Sequence, residues 1–523
     1  MQQDTTLTNH SIESKLYGHF DELQKKLVPL WRMIGRSDPG GPLEEENTIV
    51  VLPSLTVDVD LSSPIQQAYE ERFMFMLLLL RQPDLRIIYL TSLPVEQNIV
   101  DYYLHVLPGV IISNARRRLN MVAPGDASRR SLAEKILARP RLIRHIQELI
   151  PDLERAHLVP FLTTDLEREL AVRLGIPMYA ADPRYYAFGT KSGSRQIFQE
   201  VGVPHPLGYE NLHSFDELVG AIVSMRAQKP SIQKVIVKLN EGVSGMGNAQ
   251  VDLSGLPGPG NADETEMVEQ RLGDMRFELS SVQYDDYKVK FNQQGGIVEE
   301  LVSGSEVRSP SAQLRISPLG EVEQLSTHDQ ILGGPGGQSY LGARFPANPE
   351  YAPQIMYYAD KIGERFAENG IVGRFAVDFL VVRDQKGDWE FYAIEVNLRK
   401  GGTTHPFLTL QYLTDGVYHP ETAVFTTARG QPKYYVASDH IDSPKYRAFT
   451  PDDLFDIVSR HRLHFDHTSQ TGLVMHMLSS VSSAGRLGVT AIGDTPEMAE
   501  KLYAKFVAVL DDQAEKWNTP LKI

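Results

Sequence analysis

The 523-residue sequence contains no cysteine, which excludes disulfides, thiolate catalysis and cysteine-ligated zinc or iron–sulfur clusters. Positive charge is outnumbered, with 52 Lys and Arg against 67 Asp and Glu. The formal net charge is −15, so a non-specific grip on nucleic acid or on an anionic membrane is disfavoured, while local basic pockets for phosphate remain compatible with it. Long apolar runs are missing. The longest, FMFMLLLL at 73–80, is far short of the roughly 20 residues that cross a bilayer. It is expected as the buried face of a helix that starts at Ser62, Ser63 and Pro64. The opening MQQDTTLTNHSIESK has no basic segment followed by an apolar one, so it does not read as a secretory signal, and a cytoplasmic protein is expected.

What is present suits a folded chain: 42% hydrophobic and 23% charged residues, enough length for roughly three or four domains. An amphipathic helix is expected over 12–33. The short β-branched runs TIVVLPSL, LRIIYLTS and HLVPFLTT alternate with helical stretches, the pattern of βαβ units on a mostly parallel sheet. The basic stretches NARRR and ARPRLIRH are read as solvated helix faces or a subunit contact, with an anionic partner as the alternative. From Tyr185 the character changes: KSGSRQIFQEVGVPHP reads as a helix entering a new unit, and KVIVKLNEGVSGMGNAQVDL as strand, glycine loop, strand. GRFAVDFLVVRDQKGDWEFYAIEVNLR reads as two strands joined by a turn at Lys386, Gly387 and Asp388. Near the carboxyl end, Asp494 or Thr495 is expected to cap a helix with Pro496 in its first turn.

Two constellations could carry chemistry. The glycines of the loop, Gly242, Gly245 and Gly247, let backbone amides approach phosphate, although a hairpin tip accounts for them equally well. No Gly-Lys-Ser/Thr follows, and the segment after the loop reads as a strand, so neither a Walker loop nor a dinucleotide fingerprint is present. Lys238, ending an apolar strand just before the loop, favours phosphate because a buried lysine needs a partner. Asp378 in RFAVDFL and Glu395 in AIEVNLR fall on neighbouring strands, with Asn397 on the same strand face as Glu395 and Arg399 beyond it. Inward carboxylates in so apolar a setting are costly without a partner, and two carboxylates with an amide oxygen suit a hard cation such as Mg²⁺.

In this order, Lys191, Lys238 with its glycine loop, VEELVSGSE, VDF and EVNLR resemble the ATP-grasp superfamily over roughly 185–430. NLRKGGTTHPF, DQILGGPGGQSYLGARFPA and GLVMHMLSSVSSAGRLGVTAIGDTPEMAE are similar to the pheganomycin-type peptide ligases. The resemblance implies an α/β and α+β multidomain protein. Its expected parts are a helical segment at 1–44, an open α/β pre-ATP-grasp domain at 45–185, a small lobe at 186–302, a large lobe at 303–430 and an α/β extension at 431–523. It also implies that Lys191, Lys238, Gly245 and Gly247 contact the phosphates of ATP, and that the backbone of Glu299, Glu300, Leu301 and Val302 meets adenine. Glu306 would accept from the ribose. Asp378, Glu395 and Asn397 would hold Mg²⁺, with Mn²⁺ as an alternative, and Arg399 would face the transferred phosphate. Arg374 lies four residues before Asp378 where some relatives place an arginine two before, a departure that leaves it as a candidate contact only.

The implied reaction is ATP-dependent amide formation between a small carboxylate and an amine, amino acids or peptides, through an acyl phosphate. A phosphotransferase on the same scaffold is the alternative. Catalysis would rest on positioning and charge neutralisation, without a protein nucleophile. A homodimer is expected; nucleic-acid and membrane partners are not. The glycine-dense stretch 328–342 is expected as a mobile lid, with a long surface loop as the alternative, and Arg315 before it as a phosphate contact. His405 is read either as a group touching substrate carboxylate or taking a proton, or as a structural histidine bonded to backbone; His476 is read as core.

Overall fold

The computed structural model describes residues 16–34, 46–56, 62–242, 245, 247–279, 281–334 and 336–517. The helix expected over 12–33 is two helices, 16–24 and Leu27–Ile34, separated by a turn at Lys25 and Lys26; residues 12–15 lie outside the described residues. The β-branched runs form β1 (Asn47–Leu52), β2 (Leu85–Leu90), β3 (Leu119–Val122) and β4 (Ala156–Pro160), a parallel sheet in the order β3-β2-β1-β4. Every residue of β1 is buried, in keeping with an apolar run at 49–52 that is unbroken rather than alternating. The run at 73–80 is buried on nearly all sides. It is a 3₁₀ helix, Arg72–Arg81, that continues the α-helix Ser63–Glu71.

A second, antiparallel sheet comprises β5 (Gly208–Leu212), β6 (Lys234–Leu239), β7 (Asn248–Asp252), β8 (Arg276–Phe277) and β9 (Gly296–Glu300), ordered β5-β9-β6-β7-β8. Its own core joins Val235, Val237 and Val298 to Ile222, Met225 and Phe291 from the helices Phe215–Gln228 and Tyr284–Gln294.

The third unit is a nine-stranded sheet. It contains β10 (Val307–Arg308), β11 (Pro310–Ile316), β12 (Val322–Gly333), β13 (Ser339–Phe345), β14 (Gly373–Arg383) and β15 (Trp389–Asn397). After the separate ribbon β16 (Val417–His419) and β17 (Val424–Thr426), it continues through β18 (Tyr434–Asp442), β19 (Gly472–His476) and β20 (Arg486–Gly493). The order is β10-β14-β11-β12-β13-β18-β20-β19, with β15 along the other edge of β14. The carboxyl-terminal strands thus prolong this same sheet. Thr495, whose hydroxyl accepts from the Met498 amide at 3.2 Å, caps the helix Pro496–Trp517, while Asp494 pairs with Lys433. An aromatic cluster of Phe345 with Phe407, Tyr418, Phe425 and Tyr435 pins the helix Thr404–Thr414 to the sheet. Truncating Phe345 to alanine would cost about 3–5 kcal/mol.

Candidate active site

The parallel-sheet unit and both antiparallel sheets contribute walls to one cavity of about 980 Å³. Its lining includes Lys191, Lys238, Gly245, Glu299, Glu300, Leu301, Val302, Asp378, Glu395, Asn397 and Arg399.

The acidic group arises from strand register. Asp378 on β14 is paired directly with Glu395 on β15. A bulge follows at once, since Phe379 pairs with Ala393 and leaves Ile394 unmatched, and Ile394 and Glu395 both line the cavity. Asn397 Nδ2 donates to Asp378 Oδ2 and to Glu395 Oε1, each at 3.0 Å, and Gln330 Nε2 donates to Asp378 Oδ1 at 2.9 Å. Burial pushes the Asp378 carboxyl up to about 6, against the pull of Lys191, Arg399, Asn397 and Gln330. Ser311, opposite Asp378 on β11, also lines the cavity, and its buried hydroxyl has no hydrogen-bond partner among the described residues. Two carboxylates, this hydroxyl and an amide whose oxygen turns inward when the group is reversed form an all-oxygen set that fits a hard divalent cation.

The basic group comes from two directions. Lys191 opens the helix Lys191–Glu200, which Thr190 caps by accepting from the Gly193 amide at 3.0 Å. The helix start is tied to the strand ahead of the glycine loop: Ser192 Oγ donates to Asn240 Oδ1 at 2.7 Å, and the Lys191 amide to Asn240 O at 3.2 Å. Lys191 Nζ forms an ion pair with Glu395. Burial pulls its ammonium down to about 7, Lys238 acting in the same direction and Asp378 opposing. Lys238, 5% exposed, pairs with Glu299, 2% exposed, which also accepts from Arg195 Nη1 at 3.4 Å. Burial likewise lowers the Arg399 guanidinium, with Asp378 opposing.

The glycine loop closes against β12 and β13. Gly245 has φ +77°, and a Cβ there would lie 3.2 Å from Gln338 O. Asn248 Nδ2 donates to Gln338 Oε1 at 2.6 Å. Gly247 packs on Leu239. The stretch 328–342, expected as a lid or long loop, forms a β-hairpin in which the strands run to Gly333 and from Ser339.

Four expected contacts lie elsewhere. Glu306 accepts from Arg308 and Arg383 at 2.9 Å and is not part of the cavity wall, because β10 lies against the far end of β14 and turns it toward these arginines. Arg315 pairs with Glu323 at 2.6 Å and lies over Trp31, four residues along β11 from Ser311, or about 13 Å from the acidic pair. Arg374, its register partner, is displaced equally. His405 faces His476 and Asp439 rather than the cavity or a backbone group. Sequence reading missed Arg72 and Asp439, a buried ion pair at the cavity's other end beside Tyr69, Phe161, Tyr340 and His440. An arginine abutting the apolar run at 73–80 was the available signal.

Comparison with known proteins bears on the family and the fold. The family model described as IQCH-like, ATP-grasp matches residues 184–276 and 274–420, and the PGM1 C-terminal domain model matches 453–506. The chain is 28% identical over 429 residues to an L-propargylglycine–L-glutamate ligase of Streptantibioticus cattleyicolor, covering 80% of this chain and 85% of that protein. It is 23% identical over 367 residues to the IQ motif-containing protein H of Danio rerio, covering 61% of this chain and 34% of that one. Among solved structures, the biotin carboxylase of Campylobacter jejuni, described as a β,γ-ATP complex, superposes with a TM-score of 0.54 at 12% identity. The match covers 91% of this chain and 96% of that one, and at this identity it speaks for the fold.

Proposed function

The chain belongs to the ATP-grasp superfamily, and from that premise we propose that it is an ATP-dependent carboxylate–amine ligase that joins amino acids or peptides through an acyl phosphate. The observation that carries this reading is the convergence of Lys191, Lys238, Asp378, Glu395, Asn397 and Arg399 on one cavity with the strand exit at Glu300, Leu301 and Val302. The Glu300 and Leu301 amides already donate to Leu207 O and Lys234 O. Adenine recognition therefore falls to the Val302 amide and the carbonyls beside it, with Ile236 and Leu380 as apolar walls.

Asp378, Glu395 and Asn397 would hold Mg²⁺, or Mn²⁺, which when bound neutralises phosphate charge. Lys191 and Lys238 bind and orient the phosphates, and the Gly245 loop, closed on Gln338, excludes water that would hydrolyse an acyl phosphate. Arg399 stabilises the negative charge of the phosphoryl group as it leaves for the substrate carboxylate. The acid and amine would lie toward Tyr69, Arg72, Phe161 and Tyr340, away from the adenine end. The amino-acid character of both substrates follows the name of the Streptantibioticus relative.

The test is a screen of paired amino acids and short peptides with ATP and Mg²⁺, read by ADP release and mass spectrometry. Condensed product equimolar with ADP, and hydroxamate when hydroxylamine replaces the amine, are expected. A phosphorylated stable acceptor without hydroxamate would support a phosphotransferase instead.

A further inference from the structure

At the end of the cavity that Asp439 and His440 line, three side chains from three separate elements converge. His405 comes from the first turn of the helix Thr404–Thr414, Asp439 from β18 and His476 from the end of β19. All three are at most 4% exposed. His476 Nε2 lies 2.7 Å from Asp439 Oδ1 and 3.1 Å from His405 Nε2, which is itself 3.2 Å from the same Oδ1. The imidazoles meet edge to face, with centroids 4.4 Å apart and planes at 67°.

Protons satisfy this triangle only in part. A neutral imidazole nitrogen either carries a hydrogen or presents a lone pair. With hydrogens on both Nε2 atoms, both can donate to Asp439 Oδ1, but the two N–H groups crowd each other across the 3.1 Å edge. With one hydrogen, the bare nitrogen turns a lone pair toward a second acceptor, and with none all three edges repel. A cation at the centre attracts all three lone pairs and offsets the repulsion along every edge. Two of the three separations, 3.1 and 3.2 Å, match the roughly 3.0–3.4 Å expected between neighbouring ligand atoms that each sit about 2.0–2.1 Å from a metal, and the third, 2.7 Å, would open slightly on binding.

The surroundings are shaped for this arrangement. Gly488 is the register partner of His476, and a Cβ on it would fall 2.0 Å from His476 Nε2, so the imidazole occupies space that only glycine leaves open. Arg72 Nη1 donates to Asp439 Oδ2 at 2.5 Å, which fixes the carboxylate with Oδ1 turned to the histidines. Metal-ligating carboxylates are commonly oriented in this way.

We propose that His405, Asp439 and His476 form a binding site for a divalent d-block cation, zinc foremost, with water from the cavity completing its coordination. Two imidazoles and one carboxylate select zinc, iron, cobalt or nickel over magnesium, and three protein ligands with one exchangeable position is a recurrent zinc arrangement. The site is separate from the all-oxygen set at Asp378, and it stands on side-chain geometry whether or not the chain is a ligase.

The test uses the full-length, chelator-treated protein titrated with Co²⁺ and followed by visible absorption. One Co²⁺ per chain with the bands of a four- or five-coordinate ion is expected, displaced by equimolar Zn²⁺ and unaffected by excess Mg²⁺. His405→Gln and His476→Gln should each weaken binding at least about 100-fold while circular dichroism stays unchanged. Absence of stoichiometric Co²⁺ binding, or undiminished binding by both variants, overturns the proposal. Should a variant misfold, X-ray absorption of the zinc-loaded wild type decides: two imidazoles in the first coordination sphere support the site, and fewer contradict it.

Discussion

Asp378 and Glu395 are register partners on adjacent antiparallel strands, and the Asn397 amide nitrogen lies 3.0 Å from an oxygen of each. Two facing carboxylates in a buried setting need a counter-charge, and Lys191 provides it through Glu395. Lysine and carboxylates thus neutralise one another across the site where phosphate and a cation would enter together.

Glu395→Gln removes one charged oxygen ligand with little change of shape. ADP release should fall about 100- to 1,000-fold while ATP binding is partly retained, measured by a coupled assay and by calorimetry. Full turnover by this variant would remove Glu395 from the cation set.

Lys238→Ala should raise the KM for ATP and lower kcat together, by about tenfold each, equivalent to about 1.4 kcal/mol apiece. Glu299 keeps Arg195 as a partner, so the fold should persist. Steady-state kinetics with varied ATP checks this, and unchanged constants would show that Lys238 does not touch nucleotide.

The pH profile of kcat/KM for ATP should be bell-shaped. Below about 6 Asp378 gains a proton and the acidic set weakens; above about 7 Lys191 loses its proton and its hold on phosphate. Lys191→Arg keeps the charge at all working pH values, so its alkaline limb should move upward relative to the wild type.

Gly245→Val places a β-branched side chain at φ +77° with its Cβ against Gln338 O. Loop closure should suffer while the core does not, so kcat is expected to drop about tenfold or more with the melting temperature nearly unchanged.

The acidic pair was legible in part: a turn at 386–388 makes the two strands neighbours, but its register alone would set Asp378 opposite Ile394, and the bulge that brings Glu395 there has no local signature. Arg315 shares the alternation, but how far along β11 the cavity extends is set by the packing of three sheets, which no local pattern encodes. Glu306 is held by Arg383 from 77 residues away. The His405, Asp439 and His476 group, spread over 71 residues, depends on the sheet continuing from β13 to β18 and on to β20 and β19. His476 accordingly read as core, and it is buried, but its apolar neighbours gave no sign of its polar partners.

Arg315→Gln separates these two readings of one arginine. Paired with Glu323 and stacked over Trp31, Arg315 should affect stability, by about 1–2 kcal/mol in thermal unfolding, and leave the KM for ATP within twofold.

The central claim, activation of a carboxylate by phosphoryl transfer, is tested most directly by labelling both carboxylate oxygens of the acid substrate with ¹⁸O and analysing the products by mass spectrometry. One ¹⁸O should appear in the inorganic phosphate for each amide formed, because the acyl phosphate breaks at the carbonyl carbon. Phosphate free of label, or label passing to AMP, would contradict it.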